Sequence, residues 1–407
     1  MSAARSRDYP LGAAVTLAEL DADPHPVHHR LRAAEPVSWL PCLDGWLVTS
    51  HALALEAMRD AAGFTVDDPR FSTARVIGPS MLSLDGTAHD RHRAPFTGPF
   101  RAAAVAGRFA AVAAAEAARL RARLAPAGGG ELRRGFAGPM SAAIVTRALG
   151  MAGDESDEVL GWYDAIVASV TEISAGRDAS AAGEAAFAAL RARLQPVIGS
   201  GGGAGDSLLA AAADDERAGA ALSDDEVASN AAVLLFGGIE TTEGMIANAA
   251  LELLRRPDEL ARVRADPAAL DGVIDESLRL EPAAAVIDRY ATRDAELGHA
   301  RIARGELVRI SIAGANRDPA LFADPDAFDP TRTNARRHLA FAQGPHVCVG
   351  VHLARLEARV ALRELIALDG LRLDPAADAP AVRGLVFRKP VRLDARWDQA
   401  VIASVCT

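Results

Sequence analysis

The stretch FAQGPHVCVGVHLAR, Phe341 to Arg355, decides how this chain is read: one of only 3 cysteines stands between two glycines, two residues after a histidine. The residues after it, VHLARLEARVALREL, have helical period, so Cys348 lies just ahead of a helix N-terminus. Free N–H groups and the positive end of the helix dipole favour a thiolate there. Gly344 and Gly350 let the backbone pass close to a flat, bulky group, and Phe341 is placed to pack beneath the same surface. A small buried cysteine in a tight turn fits the same local pattern. The rest of the chain has to choose between the two.

With 407 residues, 50% hydrophobic and 24% charged, the chain can bury a substantial core. Cys42, Cys348 and Cys406 are too sparse for a disulfide framework, which implies a reducing compartment. The opening MSAARSRDYPLGAAVTLAEL has no apolar core of signal-peptide length, and the longest apolar run, AAVLLFGGI, is far too short to cross a bilayer. A cytoplasmic protein with no membrane partner is expected. A formal net charge of -10 argues against nucleic acid as a partner, while allowing a local basic patch. Lys389 is the single lysine among many arginines.

From about 85 to 290, Ala, Leu, Arg and Glu dominate and apolar residues recur three to four apart, which predicts a helix-rich body. Mixed segments with strand character flank it at about 1–80, 290–335 and 370–400. The expected fold class is therefore mainly α (α+β), one domain over 1–407. A helix near His89 is expected to break at Pro95 and Pro99, followed by a strong helix over RAAAVAGRFAAVAAAEAARLRARL that stops at APAGGG. GSGGGAGDS, 199–207, reads as a flexible loop, and Ser223 with its following acids opens one long apolar helix. ELGHARIARGELVRISIA predicts a β-hairpin turning at Ala303 to Gly305.

The cysteine stretch resembles the haem-binding loop of the cytochrome P450 family. Phe341, Gly344, His346, Cys348 and Gly350 match its pattern, with Ala342 where the family carries glycine. Further resemblances follow in family order. Glu276 and Arg279 in DESLRLEP match the buried ion pair that locks the loop; the third, basic position falls in DPDAF on Ala327, leaving Arg332 or Arg336 as its substitute. In FGGIETT, Gly237 and Gly238 each cost a helix interior roughly 1 kcal/mol relative to alanine. The resemblance implies that the helix opens there beside the iron, with Glu240 and Thr241 as proton-relaying acid and alcohol and Thr242 the lesser candidate. His89 and Arg93 in AHDRHRAPF, Arg289 in VIDRYAT and His346 resemble the partners of the haem propionates. ANRDP and FDPTR match linking segments.

The resemblance implies haem b (iron protoporphyrin IX) between the long central helix and the cysteine loop, with Cys348 as iron ligand pushing electron density towards bound oxygen. The implied activity is that of a monooxygenase using dioxygen on a mid-sized apolar small molecule of bacterial secondary metabolism. Oxidative C–C or C–N coupling on the same machinery is the alternative. A non-catalytic haem sensor is a third reading, disfavoured by Glu240 and Thr241, since a sensor needs no proton relay. No flavin or nicotinamide segment is fused, so electrons are expected from a ferredoxin-type donor with its reductase, docking on Arg91, Arg336, Arg337 and Arg355 of a monomer. By family position, the pocket draws on 66–84, Val233, Leu234, Gly237, Ala285, Val286, Val386 and Phe387, which makes it mostly apolar.

Overall fold

A helix of 31 residues, Asp224–Leu254, forms the axis of the molecule. Ser223 and Glu226 close a reciprocal capping box at its start, satisfying backbone N–H groups the helix cannot use itself. Its residues are apolar on all sides beyond the first turn, so it is buried along nearly its whole length, packed by Gly138–Ala148, Ala181–Gly199, Leu270–Leu280 and Val351–Ile366. The computed structural model describes residues 2–151, 156–174, 177–199 and 222–399. The glycine-rich loop expected at 199–207 lies outside them from residue 200 onward.

The central helix runs unbroken through Gly237 and Gly238, which corrects the expected opening. The two glycines have different surroundings. A Cβ on Gly238 would stand 3.0 Å from Val145 Cγ2, so that glycine lets the Gly138–Ala148 helix approach closely, whereas a Cβ on Gly237 would meet nothing within 4 Å.

Gly86–Thr97 forms a helix that carries Pro95 inside it, and the break falls after Thr97, ahead of Pro99, rather than at both prolines. The next helix, Ala102–Leu124, ends in a short 3₁₀ turn and Gly128 in the left-handed region, as the APAGGG stretch leads one to expect.

Strands β1 (Val37–Leu40), β2 (Gly45–Val48), β3 (Phe64–Thr65), β4 (Gly129–Glu131), β5 (Val286–Ala291), β6 (Ala295–Leu297), β7 (Ala300–Ile302) and β8 (Leu307–Ser311) build the first sheets. The largest has the order β1-β2-β8-β5-β3, with β2 parallel to β8 through Val48↔Ile310 and β8 antiparallel to β5 through Ile287↔Ile310. The hairpin expected around Ala303 to Gly305 is thus corrected. The actual hairpin is β6–β7, turning at Gly298 with φ 60°. β8 is buried over Val308–Ser311, so it takes an interior place between two other strands instead of pairing back on β7. Towards the C-terminus, β9 (Arg372–Leu373) and β12 (Asp394–Arg396) join β4, while β10 (Val382–Arg383) pairs with β11 (Lys389–Pro390). Among the described residues, no helix is long and apolar enough to cross a membrane.

Candidate functional site

The cysteine loop is shaped by its torsions. Gly344 has φ 75° and lies so close to another segment that a Cβ would sit 2.6 Å from the Met58 carbonyl oxygen. Its need for glycine therefore comes from the protein's own backbone. Gly350 is the N-cap residue of helix Val351–Ile366, has ordinary torsions and would have room for a Cβ. Ala342 has φ 56°, a left-handed conformation that a side chain disfavours by about 1 kcal/mol or more. Ala342→Gly is accordingly expected to stabilise the protein by about 0.5–1 kcal/mol, read as a higher urea midpoint, the gain being trimmed by glycine's freedom in the unfolded chain.

Cys348 N–H donates to the Phe341 carbonyl at 2.8 Å, tying the two ends of the loop together. Phe341 lies under the Arg355 guanidinium, 5.3 Å from the ring centroid. Cys348 is reachable from solvent although protein surrounds its side chain densely. Burial pushes its thiol up, against the Gly350 N–H and the Arg93 charge, which both favour the thiolate. The charge of a bound metal ion would favour the thiolate further.

Around this loop the structure gathers the four residues read as propionate partners. His89 is buried, its ring 4.4 Å from that of His346, and its Nε2 has no hydrogen-bond partner. Arg289 is 4% exposed; among the described residues its one hydrogen bond goes from Nη1 to the Asp288 carbonyl at 2.8 Å. Burial pushes its guanidinium down to about 10, against the charges of Asp85 and Asp288. Arg93 Nη2 donates to the Val347 carbonyl at 2.6 Å. A buried guanidinium and an orphaned imidazole nitrogen are costly without an anion, so these residues fit a group that brings carboxylates.

One neighbour was missed by the sequence reading. Asp85, the N-cap residue of the helix bearing His89 and Arg93, accepts from His346 Nε2 at 2.7 Å, Thr65 Oγ1 at 2.6 Å and Val66 N–H at 2.8 Å. Burial would raise its acid, but these three hydrogen bonds outweigh it and hold Asp85 at about 2. His346 is therefore already engaged through Nε2. Nothing local signals this contact, because Asp85 and His346 lie far apart in the chain.

Behind the loop, Glu276 and Arg279 are both fully buried and joined by two bonds of 2.8 Å. Arg279 also donates to the carbonyls of Asn316, Pro325 and Ala327. Arg332 Nε reaches Glu276 Oε1 at 3.1 Å, so it is Arg332 that takes the third place and Ala327 contributes only its carbonyl. Arg336 goes elsewhere, to Asp275 at 2.8 Å.

On the central helix Thr241 Oγ1 donates to the Gly237 carbonyl at 2.6 Å. Glu240 is buried, with Oε1 2.7 Å from Lys389 Nζ. Burial raises its acid, against the lowering effect of Lys389. Thr242 is buried one residue further on. The residues read as pocket-lining converge in part: Ala285 N–H donates to the Val386 carbonyl at 2.9 Å, Ala284 bridges to Phe387, and Phe387 meets Phe236 edge-on at 5.4 Å. Leu234 and Val286 are buried and Val233 is partly so. Phe236 was not foreseen as a neighbour.

The expected docking arginines are less free than the sequence suggests. Arg91 pairs with Glu226, and Arg336 and Arg355 share Asp275, so three of the four charges are answered within the protein. Arg336 nevertheless keeps 72% of its side chain exposed.

Comparison with known proteins agrees with this arrangement. Residues 204–376 match the family profile described as Cytochrome P450. The chain is 33% identical to cytochrome P450 monooxygenase PikC of Streptomyces venezuelae over 85% of its length and 83% of that protein. It is 32% identical to nocardicin C N-oxygenase of Nocardia uniformis subsp. tsuyamanensis over 98% of its length and 100% of that protein. The crystal structure of CalO2 superimposes with a TM-score of 0.85 at 28% identity, covering 94% of this chain and 99% of that one. With a cysteine loop, an anion-seeking wall and a helical axis in one fold, the chain belongs to the cytochrome P450 family of monooxygenases.

Proposed function

We propose that this chain oxidises a mid-sized, mostly apolar natural-product molecule with haem b held by Cys348. The observation that carries the reading is the pairing of an accessible cysteine with buried, anion-seeking Arg289 and the orphaned Nε2 of His89 around one loop. Cys348 would bind the iron, and Arg93, Arg289, His89 and the Asp85-held His346 would face the propionates. When bound, the haem supplies dioxygen activation and the oxidising step.

The protein's own part is binding and protons. Gly237 leaves open space on the helix beside Thr241, and Thr241 parks its hydroxyl proton on the Gly237 carbonyl. Rotation about its χ1 breaks that bond and turns Oγ1 to hold a proton elsewhere. Glu240, whose acid is raised by burial, titrates nearer to neutrality than an exposed glutamate and suits proton transfer between water and that hydroxyl. Phe236, Phe387, Val386, Ala285, Val233, Leu234 and Val286 provide the apolar wall for substrate, and the similarity to a protein named nocardicin C N-oxygenase supports that class.

Electrons come from a ferredoxin-type donor, docked beside the cysteine loop against Arg336, Arg337 and the 39%-exposed Val347, with the protein acting as a cytoplasmic monomer. Thr241→Ala tests the relay. Alanine keeps the helix, so haem content should stay, while product per electron falls about tenfold or more and peroxide rises to match. A variant that stays fully coupled would place the proton route at another residue.

A further inference from the structure

The chain's only lysine lies in the interior, between two carboxylates of the central helix. Lys389 Nζ is 2.7 Å from Glu240 Oε1 and 2.8 Å from Glu243 Oε2, with Tyr163 Oη at 3.4 Å, and its side chain is 15% exposed. Glu243 is fully buried and has further cations of its own, Arg133 Nη1 at 3.2 Å and Arg134 Nε at 3.5 Å. Arg134 in turn reaches the half-exposed Asp164 at 2.7 Å. Charged groups thus run in an unbroken line from Glu240 to the surface. Glu240 is the end with least support: among the described residues, Lys389 is its one ion-pair partner.

The backbone delivers Lys389 to this place. Arg388 N–H donates to the Ala283 carbonyl at 2.8 Å, the Arg388 carbonyl accepts from Asn248 Nδ2 at 3.1 Å, and Arg383↔Lys389 pair in the sheet. Gly244 lets the Ala283 segment that holds Arg388 lie close to the helix, since a Cβ there would stand 2.8 Å from Ala283 Cβ. A lysine on a flexible stem is otherwise a solvent residue, and a strand held on both sides is what brings this one inside.

We propose that Lys389 is a positioning residue for the relay acid, holding Glu240 ionised and turned towards the ammonium, with Glu243 competing for the same contact. This rests on the reading of Glu240 as the relay. When Lys389 moves towards Glu243, Glu240 becomes a buried carboxylate without a counter-ion, and it accepts a proton from a solvent hydronium, forming an O–H bond at the freed oxygen and leaving water. When Lys389 returns, that O–H bond breaks and the proton passes to Thr241 Oγ1, which hands its own hydroxyl proton on to the acceptor it has turned to face, so that Glu240 and Thr241 end as they began. The groups whose charge Glu240 feels are Lys389, Glu243 and Arg134, with Arg133 and Tyr163 beyond them.

A single lysine makes the test direct, because holoenzyme labelled with ¹⁵N-lysine has one Nζ resonance. That resonance is expected to shift in Glu240→Gln and, by a different amount, in Glu243→Gln. Lys389→Met is expected to lower product per electron about tenfold and to move the pH profile of coupled turnover upwards, with substrate affinity within about twofold of the parent. Lys389→Arg should restore the profile. An Nζ resonance unmoved by Glu240→Gln, or a Lys389→Met profile that matches the parent, overturns the proposal. If Lys389→Met does not fold, the resonance and the Lys389→Arg profile still decide. Glu240→Gln with full coupling but a shifted Nζ would leave the ion pair standing and sink the relay reading instead.

Discussion

Cys348→Ala is expected to remove the red-shifted, thiolate-type Soret band of the reduced protein under carbon monoxide and to bring turnover to background. Within the loop the substitution is mild. The Cys348 N–H bond to Phe341 belongs to the backbone, and Gly344 keeps its approach to Met58. A Cβ on Gly350 would still lie 3.9 Å from Phe100 Cε1, so the turn into the following helix is not crowded from that side. Among the described residues, His346 is held by Asp85, and Cys42 is half-buried beyond β1, in a different part of the fold. The variant should therefore fold with its parent's circular dichroism while losing the ligand. A thiolate-type band that survives would mean that the iron is held from elsewhere.

The second large effect belongs to Arg279→Ala. Arg279 and Glu276 have no exposed side-chain surface, and removing Arg279 leaves Glu276 with Arg332 alone as counter-ion, a loss towards the lower end of the about 3–5 kcal/mol that breaking a buried pair costs. The same change releases the carbonyls of Asn316, Pro325 and Ala327. Asn316 Oδ1 in turn accepts the Leu339 N–H at 2.7 Å, just ahead of the cysteine loop, so the damage should spread to haem retention. Urea unfolding followed by both far-ultraviolet dichroism and Soret absorbance checks this. Loss of less than about 1 kcal/mol would put the pair among surface ion pairs, which its burial contradicts. Arg279→Lys should rescue only part, because an ammonium cannot make the two-pronged contact with Glu276 and also serve the three carbonyls.

What could be read along the chain was what is local. Ser223 with Glu226, the apolar run behind them and the glycine pattern of the cysteine loop lie within a few residues of one another, and they placed the central helix and the loop correctly. The identity of a charge's partner is set by packing across long separations, and there the sequence was silent. It could not choose between Arg332 and Arg336 beside Glu276, nor see that Asp85 would engage His346, or that Lys389 would meet Glu240. Gly238 shows the same limit from the other side. Its place in a helix was visible, but Val145, which makes a glycine necessary there, is on a different helix. Strand β8 was found, while its two neighbours were not, because local alternation carries no information about which edge a strand will join.

The order of the largest sheet, β1-β2-β8-β5-β3, sets a timetable for synthesis. β2 ends at Val48 and its parallel partner β8 is complete only at Ser311, so the emerging chain must hold an unpaired, buried-type edge until the ribosome has passed that point. At about 5–20 residues per second, that interval is on the order of ten to fifty seconds. The two-stranded ribbon β1–β2, with Trp39 opposite Trp46, is a marginal structure alone and spends that time exposed to other nascent chains. Expression yield should therefore depend on chaperone supply and temperature through this early ribbon.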